Sequence, residues 1–485
     1  MALTYDRPVN DTIAAIATAM SPAGIGIIRI SGPGAPRIAS AVFETIHREK
    51  IDPDRWEPGR IRYGYIVRGG EILDEVMVSY FRAPHSYTTE DTIEINTHGG
   101  MLLMQQILDL VLKKGARMAE PGEFTKRAFL GGRIDLARAE AVMDLISASS
   151  DFARRSSIEQ LSGKVSAEVK KLRETILYET AFIESALDDP DSYDLEDYPP
   201  HLEEVCARIE ERLTSLLSYA EEGKILKEGI RTVIVGKPNA GKSSLLNTLA
   251  GEERAIVTDV AGTTRDTLSE TVRVGGVLLQ LTDTAGIRNT EDRVEQIGVL
   301  RARKALQDAD LILFMIDGAG DLSEEDLSIA EMVSSRIGEG SHCVVLLNKS
   351  DLEQKTEKQA VINLFTEIYK QNNVYKQREL PETVYCSLLS GEGVEDLSKV
   401  IRDLFHTGRI EEKNEIFLSS ARHREAVREA REAIRLVRAS IRDGMSEEFF
   451  TIDLMSAYTS LGKILGEAVE DDLVEEIFSK FCMGK

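Results

Sequence analysis

The chain has 485 residues, 42% of them apolar, which is enough for about three domains with hydrophobic cores. Its formal net charge of −23 and pI near 4.9 argue against broad electrostatic binding to nucleic acid or to an anionic membrane, so any RNA contact must use a local basic patch. The cysteines lack CxxC pairs and Cys/His ligand spacing, which indicates a reducing compartment and argues against a zinc site or a disulfide framework. They are Cys206, Cys343, Cys386 and Cys482.

The first thirty residues do not have the pattern of a targeting segment. Asp6, Arg7 and Asp11 precede a short apolar patch that Arg29 interrupts. Such a patch is neither a signal peptide nor long enough to span a bilayer. We therefore expect a cytoplasmic protein that does not associate with a membrane.

Residues 1–120 alternate short β-like runs with turns. Runs rich in β-branched and aromatic side chains predict strands at residues 25–31, 61–67, 75–81 and 92–96. Two stretches with helical patterning interrupt them, around residues 34–46 and 101–114. The pattern predicts an α+β domain.

After Glu120-Pro121-Gly122 the pattern becomes helical, and residues 121–223 are predicted to form the first part of a helical domain. Apolar residues recur at three- and four-residue steps from Ile158 to Ile176 and again from Leu202 to Leu216. The proline-bounded acidic segment 188–200 between these two stripes predicts a loop that joins two helices.

Residues 236–244 form a glycine-rich loop between an apolar strand, residues 231–235, and a helix-like run. In this strand–loop–helix context the loop N–H groups and the helix N-terminus can surround a phosphate chain. Lys242 would reach the terminal phosphates, and the Ser243 hydroxyl would bind Mg²⁺. The alternative is a glycine-rich turn before an ordinary helix. The predicted nucleotide-binding residues here are Asn239, Ala240, Gly241, Lys242, Ser243 and Ser244.

Three further segments complete a nucleotide site in the order expected for a GTP-binding domain. Asp283-Thr284-Ala285-Gly286 follows an apolar strand and is predicted to hold the Mg²⁺ water shell and sense a γ-phosphate. Asn348-Lys349-Ser350-Asp351 ends another, and the Asp351 carboxylate can accept from both guanine N1 and N2, which selects GTP over ATP. Ser387-Leu388-Leu389 would close the base pocket. Strand ends are where open α/β sheets bind ligands, so residues 224–406 are predicted to form this domain.

Helical patterning resumes in residues 407–485, where one apolar stripe runs from Leu454 to Ile477. The simplest assembly packs these helices against the earlier ones, so that the GTP domain is an insertion within one helical domain. The predicted fold is therefore multidomain. It has an α+β N-terminal domain, an all-α domain split in sequence and an inserted α/β Ras-like P-loop domain.

Two segments give the chain a specific resemblance. They are residues 259–266, Asp-Val-Ala-Gly-Thr-Thr-Arg-Asp, and residues 481–485, Phe-Cys-Met-Gly-Lys. With them, the chain resembles the MnmE (TrmE) tRNA modification GTPases over essentially its full length. The resemblance implies a GTP hydrolase that modifies C5 of the wobble uridine, position 34, of certain tRNAs to the (carboxymethyl)aminomethyl form. It also implies a one-carbon unit from (6S)-5-formyl- or 5,10-methylene-tetrahydrofolate and an MnmG-type partner that carries FAD.

The resemblance also supplies hydrolysis residues that spacing does not. Ras-like enzymes have a glutamine that orients the attacking water, and Ile287 occupies that position here. The resemblance implies that Glu295 orients the water instead. Without the resemblance, Glu295 would be interpreted as one more carboxylate of an acidic helix. It implies a K⁺ ion held by Asn239, Thr258, Val260 and Thr263, and Thr264 as a second Mg²⁺ ligand. Arg265 and Arg288 are interpreted as salt-bridged switch residues. The implied GTP-binding switch is Thr258, Asp259, Val260, Ala261, Gly262, Thr263 and Thr264.

For the N-terminal domain the resemblance implies homodimerisation and a tetrahydrofolate site. The matching residues are Arg29, Glu94, Arg133 and Lys485. Cations suit the folate carboxylates, and a carboxylate suits the amino donors of the pterin. Arg133 stands where a lysine is expected in the family, and each residue taken alone is also compatible with ordinary surface charge.

Two features keep alternatives open. A Cys482 thiolate near the folate could assist carbon transfer or hold an RNA base, or Cys482 is only a small apolar side chain. A stripe of arginines could touch tRNA phosphates, or it is a solvated face paired with Glu425, Glu429 and Glu432. The stripe consists of Arg424, Arg428, Arg431, Arg435, Arg438 and Arg442.

A competing hypothesis is a regulatory GTPase switch that resembles the ribosome-assembly GTPases Era or Der. Its flanking domains would bind partners and carry no chemistry. Binding of 5-formyltetrahydrofolate separates the two hypotheses, because a switch of this kind would not bind it.

Overall fold

A computed structural model describes most of the chain as two compact units. The first comprises Met1–Ile146, Ser157–Thr214 and Ala421–Lys485, and the second comprises Ser147–Ser156 and Ser215–Ser420. The described residues are 11–148, 150–189, 195, 197–252, 269–282, 306–337, 341–371, 380–405, 416–418, 420–467, 471–481 and 484.

The first unit contains a mostly antiparallel sheet. Its described strands are β1 (Ile13–Ile16), β2 (Ala23–Ser31), β3 (Phe43–Thr45), β4 (Ile61–Arg68), β5 (Glu71–Phe81), β6 (Thr92–Gly99) and β7 (Arg117–Met118), in the order β3-β4-β5-β6-β2-β1-β7. β1 pairs with β7 in parallel, and the other neighbours are antiparallel. In the β2–β6 register Arg29 lies opposite Glu94.

The two faces of this sheet differ. Helices α1 (Ala35–Val42) and α2 (Met101–Lys113) contribute to the core that buries one face, which includes Ile28 and Ile95. Because side chains alternate across a pleated sheet, their neighbours Arg29 and Glu94 lie on the opposite face. That face also carries exposed apolar side chains, with Ile61 at 66%, Tyr63 at 53% and Met77 at 43% relative exposure.

The predicted helix at residues 34–46 is wrong at its C-terminal end. Residues 43–45 form β3 instead, and Phe43 pairs with Ile66 of β4. Phe43 is buried, with its ring centroid 5.8 Å from that of Trp56. This tertiary contact outweighs the local helical pattern, as is common for short segments.

Further helices follow this sheet. They are α3 (Glu123–Leu130), α4 (Leu136–Ile146), α5 (Asp151–Leu161), α6 (Lys164–Asp188) and α7 (Tyr198–Glu228), and late in the chain α12 (Ala421–Arg442), α13 (Glu447–Leu465) and α14 (Asp471–Ser479). The late helices pack on the early ones, α13 against α6. The predicted loop 188–200 is too long, because α7 takes Pro199 and Pro200 into its first turn, where their missing N–H groups cost nothing. None of the described helices combines the length and apolar character needed to cross a membrane.

The second unit contains a mostly parallel sheet. Its described strands are β8 (Ile230–Gly236), β9 (Ser269–Val274), β10 (Val277–Thr282), β11 (Leu311–Asp317), β12 (His342–Asn348) and β13 (Glu382–Tyr385), in the order β13-β12-β11-β8-β10-β9. Its described helices are α8 (Lys242–Glu252), α9 (Glu324–Ser334), α10 (Lys358–Gln371) and α11 (Val394–Leu404). Only β9 runs antiparallel to its neighbour among these strands.

Both faces of this second sheet are buried. Along β11, Leu311, Leu313 and Met315 enter one core, while Ile312 and Phe314 enter the other. A strand covered on both faces reads as a continuous apolar run, which is what the sequence shows. The predicted fold class is confirmed, with an α+β N-terminal part, a helical part split in sequence and an inserted α/β P-loop part.

Candidate functional site

The phosphate-binding loop predicted at residues 236–244 connects β8 to α8 directly. Asn239 and Gly241 adopt left-handed backbone conformations, with φ of 64° and 110°. A Cβ atom on Gly241 would lie 2.3 Å from Asn348 Nδ2, so only glycine allows the loop to approach β12 this closely. The tight turn brings the loop to the N-terminus of α8, where N–H groups favour an anion.

Lys242 is the first residue of α8, and its ammonium is held by the loop itself. Nζ donates to the carbonyl oxygens of Gly236 at 2.6 Å and Lys237 at 2.7 Å. Burial lowers the pKa of Lys242, because the ammonium loses hydration, and the negative charge of Glu325 offsets this effect only in part. A phosphate would supply the full negative charge that stabilises this ammonium.

Asn348 joins three of the predicted nucleotide-binding segments. Its Nδ2 donates to the Ala240 carbonyl oxygen at 2.8 Å, and its Oδ1 accepts from the Leu388 N–H at 3.3 Å. The Ser350 N–H donates to the Cys386 carbonyl oxygen at 3.0 Å. Ser387 is buried and Leu389 is exposed. The structure therefore brings the phosphate loop, residues 348–351 and residues 387–389 together at one end of the sheet.

A buried ion pair that the sequence analysis missed supports the phosphate loop. Lys237 Nζ lies 2.9 Å from the Asp326 carboxylate, which is fully buried in the first turn of α9. Asp326 also forms a capping box with Ser323. Although burial opposes ionisation, the bonds from Lys237 and Ser323 hold the pKa of Asp326 below its usual value. The spacing Ser323-x-x-Asp326 before a helix was the available sequence signal.

Other predicted residues of the nucleotide site lie outside the described residues. Their roles, including the K⁺ ligands other than Asn239 and the second Mg²⁺ ligand, stay predictions. They are Thr258, Asp259, Val260, Ala261, Gly262, Thr263, Thr264, Asp283, Thr284, Ala285, Gly286 and Glu295.

A second group of predicted residues meets on the face of the N-terminal sheet opposite the core that contains Ile28 and Ile95. Arg29 Nε lies 2.8 Å from Glu94 Oε1 across the β2–β6 pair. The Arg29 guanidinium also lies over two aromatic rings, 5.4 Å from the centroid of Tyr87 and 5.5 Å from that of Phe124. Both charged side chains are about four-fifths buried, which strengthens cation–π contacts.

Tyr87 links Arg29 to Arg133. The Arg133 guanidinium lies 4.9 Å from the centroid of the Tyr87 ring, and its Nη1 donates to the Tyr87 carbonyl oxygen at 3.2 Å. The Tyr87 hydroxyl lies 2.9 Å from Thr125 Oγ1. Tyr87 was not predicted from the sequence, since it lies in a turn-rich segment without periodic pattern.

The C-terminal segment reaches this aromatic and cationic cluster. Arg29 Nη1 donates to the Gly484 carbonyl oxygen at 3.4 Å. Gly484 has φ of 85°, and a Cβ atom there would lie 2.2 Å from the Ile16 carbonyl oxygen. Cys482 and Lys485, the neighbouring candidates, lie outside the described residues.

A buried ionic network underlies the cluster and was also missed. The Arg127 side chain is only 3% exposed and binds Asp11 at 2.7 Å, Glu123 at 2.9 Å and Glu90 at 3.1 Å. Glu90 in turn accepts from the Ser31 hydroxyl at 2.7 Å. Although burial alone would lower the pKa of Arg127, its carboxylate partners raise it. The network fixes α3 against β2 and the segment that carries Tyr87.

Members of the arginine stripe on α12 form ion pairs within the first unit. Arg435 binds Glu210 at 2.7 Å, and Arg438 binds Glu203 at 2.8 Å as well as Glu210. Both carboxylates belong to α7. The stripe therefore joins two helices, and this favours a paired face over a free RNA-binding surface. Of the predicted partners, Glu425 pairs with Arg428 and Glu432 with Arg435, but Glu429 is wrong, because it binds Lys463 at 2.6 Å.

Comparisons with known proteins match nearly the whole chain. Two family models match: MnmE helical domain over residues 136–482, and GTP-binding protein TrmE N-terminus over residues 12–133. The tRNA modification GTPase MnmE of Lachnoclostridium phytofermentans is 48% identical over 476 residues, which is 98% of this chain and 100% of the relative. That of Bacillus subtilis is 44% identical over 481 residues, with the same coverage.

Solved structures align over a smaller part of the chain. Aquifex aeolicus Era Y63A bound to GDP.AlF4- aligns with 36% of this chain and 55% of its own, at 32% identity and a TM-score of 0.26. So partial a superposition carries no argument about function. The full-length relatives and the two family models do identify the family, and they confirm the resemblance seen at residues 259–266 and 481–485. The chain belongs to the MnmE family of tRNA modification GTPases.

Proposed function

We propose that the chain couples K⁺-dependent GTP hydrolysis to modification of C5 of the wobble uridine of certain tRNAs. A tetrahydrofolate donates the one-carbon unit, and an MnmG-type partner supplies FAD for the redox steps. The observation that carries the proposal is that one chain contains two sites. In the first, Asn348 connects the phosphate-binding loop to residues 387–389 of the predicted guanine pocket. The second is the cluster of Arg29, Tyr87, Glu94 and Arg133. A GTPase switch alone has no use for the second cluster.

In the nucleotide site each residue has a task that follows from its chemistry. Lys242 and the N-terminus of α8 bind the terminal phosphates, and Asp351 accepts from the guanine N1 and N2 donors. Ser243 and Thr264 would hold Mg²⁺. Asn239, with Thr258, Val260 and Thr263, would hold K⁺. These cations neutralise charge on the phosphates, and Glu295 orients the attacking water, which Ile287 cannot do.

In the N-terminal cluster the proposed ligand is 5-formyl- or 5,10-methylene-tetrahydrofolate. Glu94 accepts from pterin amino donors with Arg29 beside it at 2.8 Å, while Arg133 and Lys485 meet the ligand's carboxylates. The Arg29 pair fixes the orientation of Glu94, and the Tyr87 ring offers a flat apolar surface beside it. Cys482 would assist carbon transfer from the adjacent terminal segment.

The proposed assembly is a homodimer that also binds the FAD protein and tRNA. The exposed apolar side chains Ile61, Tyr63 and Met77 support dimerisation, since they share the sheet face of the folate cluster. Sedimentation velocity tests this. Met77→Asp is expected to give monomers, whereas the control Leu352→Asp, at an exposed site of the second unit, is expected to leave the dimer intact.

The decisive experiment has two readouts on the same purified chain. GTP hydrolysis is measured in KCl and in NaCl, and 5-formyltetrahydrofolate binding is measured by isothermal titration. The proposal expects faster hydrolysis in KCl and saturable folate binding, as well as loss of the modified wobble uridine in tRNA from a strain that lacks the chain. Hydrolysis without folate binding, with fully modified tRNA, would establish the regulatory-switch alternative. Turnover of Cys482→Ala at the unaltered rate would remove the catalytic role of that thiol.

A further inference from the structure

A cavity of about 340 Å³ opens beside Arg133 in the first unit. It lies where the turn between α3 and α4 meets α6 and the C-terminal end of α13. Gly466 ends α13 with φ of 88°, and a Cβ atom there would lie 2.9 Å from Phe129 and from Leu136. The glycine therefore lets the end of α13 approach the turn and form one wall of the cavity.

Cations dominate the polar lining of this cavity. Arg133, Arg138 and Lys170 contribute positive charge, and Asp135 and Glu467 contribute negative charge. Both carboxylates already have partners, because Asp135 accepts from the Arg138 backbone N–H at 2.9 Å and Glu467 binds Arg173 at 2.7 Å. Arg138 is oriented through Nε by the Leu161 carbonyl oxygen at 2.9 Å. The lining retains a net positive charge in a chain whose net charge is −23.

Arg133 belongs to both the cavity and the folate cluster. Its guanidinium lies 4.9 Å from the centroid of the Tyr87 ring, and the Arg29 guanidinium lies 5.4 Å from the same centroid. Cations thus continue from Arg29 through Arg133 to Arg138 and Lys170. A ligand bound at Tyr87 has Arg133 beside it, and Arg138 and Lys170 line the cavity that Arg133 shares with them.

We infer that the cavity binds the additional glutamate residues of a poly-γ-glutamylated folate. The inference rests on the proposed folate site and specifies its ligand. Each added glutamyl unit brings one carboxylate, which guanidinium and ammonium groups bind well, and methylene groups that the walls Phe129 and Leu465 can cover.

Isothermal titration of the full-length chain tests the inference with two ligands. These are 5-formyltetrahydrofolate monoglutamate and the same folate carrying five glutamates. We expect the longer ligand to bind about fivefold more tightly, because several solvent-accessible ion pairs each contribute little, and we expect the advantage to shrink as salt is raised. Lys170→Glu is expected to abolish the advantage and leave monoglutamate binding unchanged. Lys171→Glu, at an exposed neighbour on α6 that does not line the cavity, is the matched control.

Each other outcome overturns the inference. Equal affinities of the two folates in the unsubstituted chain would remove the tail site and leave the proposed folate site standing. Equal losses in Lys170→Glu and Lys171→Glu would assign the effect to overall charge. If Lys170→Glu weakened tRNA binding but not binding of the longer folate, the cavity would be an RNA contact. If neither folate bound, the proposed folate site would fail and the inference with it. Lys170→Gln, which removes the charge without reversing it, should repeat the loss in part.

Discussion

The two sites of this chain are built in opposite ways. The nucleotide site uses short contiguous segments at the ends of parallel strands, and its contacts run from the Asn348 amide and the Lys242 ammonium to backbone groups. The N-terminal cluster uses side chains from four separated positions, residues 29, 87, 94 and 133, together with the backbone carbonyl oxygen of Gly484. A site built on the backbone can be predicted from one sequence motif. A site built from side chains depends on the whole fold, which brings its members together. The two should therefore fail differently when they are altered.

The largest expected effect is a loss of stability when the buried ionic network of Arg127, beneath the N-terminal cluster, is broken. Arg127→Ala would leave three carboxylates in the first unit without their buried cation, at a cost of about 3–5 kcal/mol in the free energy of unfolding. Trp56, the single tryptophan, is buried in the N-terminal sheet, so its fluorescence during urea denaturation reports this unfolding. Arg117→Ala removes a half-exposed cation from the same network and should cost under about 1 kcal/mol. Equal losses would show that burial does not set the cost.

The backbone site should fail through geometry and leave stability elsewhere intact. Gly241→Ala would drive a Cβ atom against Asn348 and displace loop N–H groups, and we expect kcat/KM for GTP hydrolysis to fall roughly 100-fold. Gly276→Ala is the matched control, because Gly276 also has positive φ, 85°, but has open space around the new atom. If the control lost as much activity, strain in φ rather than the close approach to β12 would be responsible.

A third test measures folate affinity, which should depend on the N-terminal cluster and not on the nucleotide site. Tyr87→Leu removes the ring shared by Arg29 and Arg133, and we expect 5-formyltetrahydrofolate to bind about tenfold more weakly, with GTP hydrolysis unchanged. Tyr87→Phe keeps the ring and loses only the hydroxyl contact to Thr125, so its affinity should stay close to that of the unsubstituted chain. A similar loss in both variants would point to the hydroxyl.

These residues also mark what the sequence could predict. The parallel sheet, its strand ends and the phosphate loop follow from local runs and glycine spacing, since neighbours in sequence make them. Arg29, Glu94 and Arg133 entered only through the family resemblance. Tyr87 was missed because it lies in a turn-rich segment without periodic pattern. Arg127 and Asp326 were missed because each has partners far away in sequence: Glu90 and Asp11 lie 37 and 116 residues from Arg127, and Lys237 lies 89 residues from Asp326. The helix predicted at residues 43–45 failed for the same reason, since a strand pairing decided it.

A smaller effect is expected where a side chain supports the backbone site. Asp326→Asn keeps the shape of the buried group but removes the charge that holds Lys237, and we expect KM for GTP to rise about threefold to fivefold. Steady-state kinetics at saturating K⁺ measure this. Glu324→Gln makes the same charge change at an exposed position of α9 and should leave KM unaltered.

The smallest effect should be a pH dependence in the N-terminal sheet. The bond from His98 to Asp74, 2.7 Å long, raises the pKa of the imidazole above its usual value. The resulting stability is fully present below about pH 6.5, the usual histidine pKa, and is lost as pH rises through the raised value. Trp56 fluorescence in urea at a series of pH values should show this increment, and His98→Gln should remove it. An increment that grows with pH would have the wrong sign.

The single amide of Asn348 has a consequence for how the molecule is made. Its partners, Ala240 and Leu388, lie 108 residues before it and 40 residues after it, so the guanine pocket cannot close until the ribosome has translated beyond residue 388. The Arg29 cluster is completed later in translation, because its last contact comes from Gly484, 455 residues downstream of Arg29. The first domain to emerge during translation is thus the last to gain a finished binding site.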